Sequence, residues 1–317
     1  MKKLFVPIVL LLVMMLSACG GNQAVNTAKG SDSSSEPAQN TNTQDSGTVT
    51  YQSEDGPVEV PKNPQRVVVL TRFLTGNVMA LDVPLIGVDE MSKENPRFAE
   101  RLKDVESVSD ESLEKIMQLQ PDLIIGLSGI ANVDKLKSIA PTITYTYNKL
   151  SFLDQQIEIG KLLNKEKEAR AWAQDFQARA KKAGEEIRAK VGEGATVSVV
   201  ETFNKQLYVY GYNFGRGTEI LYGEFNLGMP EKVKEGTSKD GYAALSNEVL
   251  DDYFGDYVIF SKNADEDNSF QDTAVYKNTA AVKNNRVYEV DAKSFYFNDP
   301  LSLEFQLEFF IKSFLGK

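Results

Sequence analysis

Arg216 stands between Gly215 and Gly217 in the stretch LYVYGYNFGRGTEIL, Leu207 to Leu221, with Tyr208 and Phe214 on the same run. A guanidinium presents a fixed fork of five N–H donors and can approach several oxygens together. Flanking glycines let the backbone come close to a bulky ligand. Tyrosine and phenylalanine supply large, stiff walls at low entropy cost. Such a set can recognise a molecule without transforming it. The chain has no histidine, so it lacks the commonest general base and the commonest transition-metal ligand. A Ser-His-Asp triad and an imidazole metal site are both impossible. The turn is not G-x-G-x-x-G and has no GKS or GKT for phosphates. No residue is assigned a catalytic or metal-ligating role. The plain alternative is a strand-to-helix turn with a solvated arginine.

The elements that must hold these residues are legible in part. RVVVL, Arg66 to Leu70, is a β-branched run of the kind buried on both faces of a parallel sheet. Arg72 and Phe73 follow it, and in an α/β lobe the carboxyl ends of strands face the ligand crevice. PLIGVDE, Pro84 to Glu90, reads as a strand, and SLEKIMQLQPDLIIGL as a helix followed by the strand Leu123 to Leu127. ANVDKLKSIAPTITYTY repeats that pattern, which predicts a parallel α/β lobe. SFLDQQIEIGKLLN, Ser151 to Asn164, is a long helix, and another follows with Ala169, Trp172, Phe176, Ala180, Ala183, Ile187 and Val191 on one face. That spacing makes Trp172 a core residue. TVSVVET, DYVIFS and RVYEVD are strands of a second set, and PLSLEFQLEFFIKSFL is a closing helix. A hairpin turning at Asp55-Gly56 precedes the first lobe. The pattern is lobe, long helix, lobe, with a ligand cleft between lobes.

The composition excludes other classes. Of 317 residues, 42% are hydrophobic and 25% charged, as in ordinary globular proteins. The net charge of −10, with no basic tract, argues against nucleic acid as a partner. Cys19 is the single cysteine, so no intrachain disulfide forms. Lys2 and Lys3, the apolar run Leu4 to Leu16 and then Ser17-Ala18-Cys19 read as a secretory signal, too short for a membrane span. The cysteine after Leu16-Ser17-Ala18 resembles the lipobox of bacterial lipoproteins, which implies cleavage before Cys19 and a lipid on its thiol. Gly20 to about Thr50 is polar and small, a flexible tether. The expected organisation is a signal peptide at 1–18, lipidated cysteine and tether at 19–50, a first α/β lobe at 51–150, a linking helix at 151–166 and a second lobe at 167–317.

PKNPQRVVVL, SLEKIMQLQPDLIIG, KSIAPTITYTYNK, LYVYGYNFGRGTEILY, GYAALSNEVLDDYFGDYVIF, AVKNNRVYEVD and SFYFNDPLSLEFQLEF occur in this order from residue 61 onward. Together they resemble the ferric-hydroxamate siderophore-binding lipoproteins of Gram-positive iron-uptake ABC transporters, over the whole mature fold. YVYGYNFGRG and FYFNDPLSLE are particular to the hydroxamate branch; KIMQLQPDLII and the APT strand are shared with the wider iron-siderophore and cobalamin binding class. The resemblance implies two Rossmann-like α/β lobes joined by one rigid helix, the helical-backbone type of substrate-binding protein. It implies a monomer on the outer face of the cell membrane that performs no chemistry and hands its ligand to an ABC permease dimer.

The resemblance also assigns residues. Arg216 becomes the main hydrogen-bond donor to hydroxamate oxygens and Phe214 the stacking wall, where many relatives carry tryptophan. Tyr208, Tyr147 and Phe297 fall where the family has cleft aromatics. Tyr296 is a further candidate, although in an extended FYF segment it points opposite to Phe295 and Phe297. Glu114 in SLEK and Glu248 in LSNEVL match the carboxylates that dock permease arginines. No cofactor is implied. The ligand is itself an Fe(III) complex whose iron shell is filled by siderophore oxygens, which accords with the missing histidines. A catecholate complex carries about −3 at iron and calls for several cations to offset it. The cleft motifs show one or two, favouring a neutral hydroxamate or a citrate-hydroxamate. A catecholate, cobalamin or haem receptor on the same scaffold is the alternative, haem then needing methionine (Met79, Met91) or tyrosine. An extracellular iron-complex reductase or hydrolase is the reading from another class.

Overall fold

The structure, a computed structural model, describes residues 47–317. The signal peptide, Cys19 and nearly all of the tether lie outside the described residues. Pairing begins at β1, Thr48–Ser53, which forms an antiparallel hairpin with β2, Gly56–Pro61. It thus starts within the last three residues assigned to the tether. Gly56, at φ 113°, completes the turn.

The first lobe is a five-stranded sheet of β3 (Val67–Val69), β4 (Leu85–Val88), β5 (Glu106–Ser107), β6 (Leu123–Leu127) and β7 (Thr142–Tyr145), in the order β5-β4-β3-β6-β7. Every pairing is parallel. Helices cover both faces, so β3 is buried throughout and β6 nearly so, which explains their uninterrupted apolar sequences. The hairpin is tied to this lobe by Tyr51, whose hydroxyl lies 3.0 Å from that of Tyr145 and donates to Glu158 at 2.7 Å.

The second lobe holds β8 (Val197–Phe203), β9 (Gln206–Tyr210), β10 (Tyr242–Leu245), β11 (Tyr257–Lys262) and β12 (Val287–Asp291), in the order β10-β9-β8-β11-β12. Its sheet is mixed: β8, β11 and β12 are parallel, whereas β8-β9 and β9-β10 are antiparallel. The cause is the two-residue turn Asn204-Lys205, with φ of 50° and 64°, a left-handed pair whose twist suits a tight hairpin. Val197 and Val199 face one apolar core, Val200 the other.

A long helix joins the lobes, Glu166–Val191, 26 residues capped by Gly192. Ala169 near its start lies in the first lobe's core, while Phe176, Ala180, Ala183 and Ile187 lie in the second's. The segment 151–166, expected as the linking helix, forms the shorter helix Phe152–Leu162, capped by the Ser151 hydroxyl, which packs along the 26-residue helix that follows it. It too spans both cores, with Phe152 against Phe176 and Ile159 and Leu162 in the first lobe. A Cβ at Gly160 would sit 2.5 Å from that of Ala169, so glycine there permits the close approach. Trp172 stacks on Phe176, as its spacing predicts, and its ring N–H donates to Glu304. The closing helix, Pro300–Leu315, adds a further tie. Its N-cap Asp299 is buried, accepts from the Leu301 and Ser302 N–H groups, and abuts Gly76 of the helix Arg72–Ala80.

Candidate functional site

A cleft of about 320 Å³ opens between the lobes. From the first lobe come Arg72 and Phe73, just past β3, Met91, and Tyr147, just past β7. From the second come the β8-β9 hairpin, Tyr242 of β10, the loop Phe214-Gly215-Arg216, and Tyr296, Phe297 and Asn298. All seven residues singled out as ligand contacts therefore line one cavity: Arg216, Phe214, Tyr208, Tyr147, Phe297, Tyr296 and Arg72.

The loop is built by three consecutive left-handed residues, Gly215, Arg216 and Gly217, at φ 71°, 55° and 80°. L-residues avoid this region, and a run of three is sustained only by strong local ties. Here the Phe214 N–H donates to the Thr218 hydroxyl at 2.9 Å and the Gly215 N–H to the Glu219 carboxylate at 2.8 Å. The Asn298 side chain donates to the same Glu219 oxygen at 3.0 Å. Glycine is required on both sides: a Cβ at Gly215 would meet the Tyr296 carbonyl oxygen at 2.4 Å, and one at Gly217 the Phe310 ring at 2.4 Å. The expected helix beyond the loop forms as a π-helical turn, Glu219–Glu224. Burial raises the Glu219 carboxyl above the usual range, against the pull of its hydrogen bonds.

Arg216 is not a free cation. Its Nη2 and Nε donate to Glu201 Oε1 and Oε2 at 2.8 and 3.2 Å. The Glu201 side chain is wholly buried and also accepts from the Ser261 hydroxyl at 2.6 Å. Glu201, Tyr208 and Ser261 stand opposite one another across β9-β8-β11, which places all three on one face of the sheet. The guanidinium carbon lies 4.3 Å from the centre of the Tyr210 ring and 5.1 Å from that of Tyr296. Burial works against its charge, but the Glu201 carboxylate and these phenols outweigh it and hold the group more firmly protonated than usual. Nη1 makes only a long contact to the Phe214 carbonyl, so that edge of the fork remains for a ligand.

Aromatic rings wall the cleft on both sides. Phe214 stacks on Tyr210 at 5.7 Å and touches Tyr242, which meets Tyr208 edge-on. Opposite, Phe73 lies 4.6 Å from Tyr147 and 6.3 Å from Phe297. The Arg72 guanidinium rests over Phe73 and against the Met91 sulfur. Burial, then Glu201, pushes Tyr296 up to about 12, and burial, then Glu219, raises Tyr147.

The condition under which Tyr296 would point away from the cleft is not met. The FYF segment is not extended: Ala292–Ser294 is a 3-10 turn capped by Asp291, and Phe295 has φ −117° and ψ −5°. Tyr296 and Phe297 consequently both face the cleft, while Phe295 turns into the second core. Of the two methionines that a haem reading would call on, Met91 lines the cleft, whereas Met79 is core. Glu201, Ser261, Tyr210, Tyr242 and Asn298 were not anticipated. A signal for Glu201 existed, since a carboxylate inside the apolar strand VSVVET demands a partner. Glu114 and Glu248 lie away from the cleft. Both are exposed, one in the helix Leu113–Leu119 of the first lobe, the other in the 3-10 turn Asn247–Val249 of the second.

Comparison with known proteins agrees with this architecture. A model of the periplasmic binding protein family matches residues 67–294. The iron(3+)-hydroxamate-binding protein FhuD of Bacillus subtilis is 36% identical over 310 residues, covering 96% of this chain and 95% of that protein. The FhuD protein from S. pseudintermedius superposes with a TM-score of 0.77 at 34% identity, covering 85% of this chain and 99% of that one. FhuD2 from Staphylococcus aureus with bound ferrioxamine B gives 0.76 at 32%, covering 80% and 99%.

Proposed function

The chain belongs to the periplasmic binding protein family, and on that premise we propose that it captures a ferric hydroxamate siderophore outside the cell membrane and delivers it to an ABC importer. The observation that carries the reading is Arg216: one guanidinium edge presented into a cleft walled by aromatics from both lobes. Hydroxamate oxygens around iron are hydrogen-bond acceptors, and the organic arms of the ligand are apolar enough to lie on Phe214, Tyr242, Phe73 and Tyr147. The ligand brings its own iron. A phenol that titrates near 12 is a poor source of the phenolate that Fe(III) would need, so Tyr296 serves as a neutral wall and donor. The protein does no chemistry, holds no resident metal and works as a monomer. The lipid on Cys19 tethers it, and Glu114 and Glu248 offer one carboxylate per lobe to arginines of a permease dimer.

The test is a calorimetric titration of the chain from Asn22 onward with ferrioxamine B, ferrichrome, a ferric citrate-hydroxamate, a ferric catecholate, haemin and cobalamin. Submicromolar binding of the hydroxamates is the expected result. Binding confined to the catecholate, haemin or cobalamin would reject the hydroxamate assignment, and turnover of any ferric complex would reject the binding-protein reading.

A further inference from the structure

We propose that Glu201 sets the ligand charge that the cleft accepts: by neutralising Arg216 from beneath, it selects ferric complexes whose iron centre is uncharged over anionic ones. This rests on the proposed function and names the property of the ligand on which it turns. A buried carboxylate is kept only where it is paired and hydrogen-bonded, and Glu201 is both, through the two guanidinium nitrogens and Ser261. The pair leaves the fork's outer edge with its donors but without a net charge behind them. The other cleft cation, Arg72, has the Asp89 carboxyl within electrostatic reach, and Asp89 in turn is held by Ser92. Glu219 sits behind Gly215 and Asn298, which donate to it, and forms no ion pair among the described residues. The remaining cleft residues are neutral. An anionic complex would therefore lose its hydration on entering and find the Arg216 charge already balanced by Glu201, whereas a neutral one loses little.

Glu201 is a positioning and charge-setting residue, since it reaches the ligand only through Arg216. The experiment measures association constants for ferrichrome and an anionic ferric citrate-hydroxamate, at low and high salt, on the wild type, Glu201→Gln, Arg216→Gln and the double variant. Glu201→Gln uncovers the Arg216 charge, so the anionic-to-neutral ratio should rise by about tenfold or more and the gain should shrink with salt. Arg216→Gln leaves Glu201 bare and should lower the ratio. The double variant restores the original net charge and should return the ratio to within about threefold of wild type. A merely structural role would weaken both ligands together and leave the ratio unmoved, and that result overturns the proposal, as does movement of both single variants in one direction. Should Glu201→Gln not fold, the step from Arg216→Gln to the double variant carries the same about tenfold rise. If ferrichrome does not bind the wild type, the functional reading fails. If it binds and the ratios do not move, only the role of Glu201 fails.

Discussion

Arg216→Ala is expected to harm the fold as well as the site, because it strands Glu201. In the wild type that carboxylate is fully buried and takes N–H donors at 2.8 and 3.2 Å from Arg216, plus the Ser261 hydroxyl at 2.6 Å. Alanine leaves it with the serine alone. Breaking a buried pair from one side costs about 3–5 kcal/mol, and the lost contacts with Tyr210 and Tyr296 add about 1 kcal/mol. Domains of this size lose roughly 2–4 °C in Tm per kcal/mol, so the melting point should fall by about 10 °C or more. Two companions separate the causes. Arg216→Met with Glu201→Leu removes both charges and should recover at least half of the loss. Arg216→Gly should be about 1 kcal/mol more stable than Arg216→Ala, because the backbone there sits at φ 55°. Thermal and urea unfolding of the apo-protein read all four. An Arg216→Ala melting point within about 2 °C of wild type, or a double variant that recovers none of the loss, would refute the reasoning. Binding by Arg216→Ala must accordingly be measured well below its own melting point.

Glu219→Gln should alter the pH profile of stability. Burial raises the folded-state titration of Glu219, so its contribution is greatest below the ordinary glutamate value and is lost as pH rises through the raised one. The wild type should lose stability from mildly acid to neutral pH more steeply than the variant, and parallel melting curves between pH 5 and 8 would count against this. Gly217→Ala should cost about 2–4 kcal/mol, from left-handed backbone and a methyl 2.4 Å from the Phe310 ring; urea unfolding reads it, and a loss under about 1 kcal/mol contradicts the packing. Cys19→Ser should move the protein from the membrane fraction to the soluble one, and continued sedimentation with membranes would dismiss the lipid anchor.

Local features of the chain were the ones its sequence revealed. Arg216, Phe214 and Tyr208 share one short run, and the alternation of strands and helices announced two α/β lobes joined by a long helix. Contacts between distant segments were hidden. Glu201 meets Arg216 across a hairpin whose left-handed Asn204-Lys205 turn makes β8 and β9 antiparallel, and NK is a weaker signal for such a turn than NG. Tyr242 joins the aromatic wall only because β10 pairs with β9. Tyr296 and Phe297 share a face because Asp291 and Ser294 close a 3-10 turn that strand periodicity cannot foresee. Trp172 was legible because helical spacing repeats over many residues and one aromatic cannot disturb it.

The left-handed run Gly215-Arg216-Gly217 has a consequence for how such a protein can acquire new ligands. Both glycines are barred from growing, by the Tyr296 carbonyl and by Phe310, and the arginine is bound to a carboxylate that cannot be lost alone. The anchor is therefore nearly immutable. Tyr147, Phe203 and Tyr242, at 40%, 37% and 42% exposure, can be exchanged at little cost to stability. Selectivity in descendants of this chain should drift through the walls, one aromatic at a time, around a guanidinium that stays where it is.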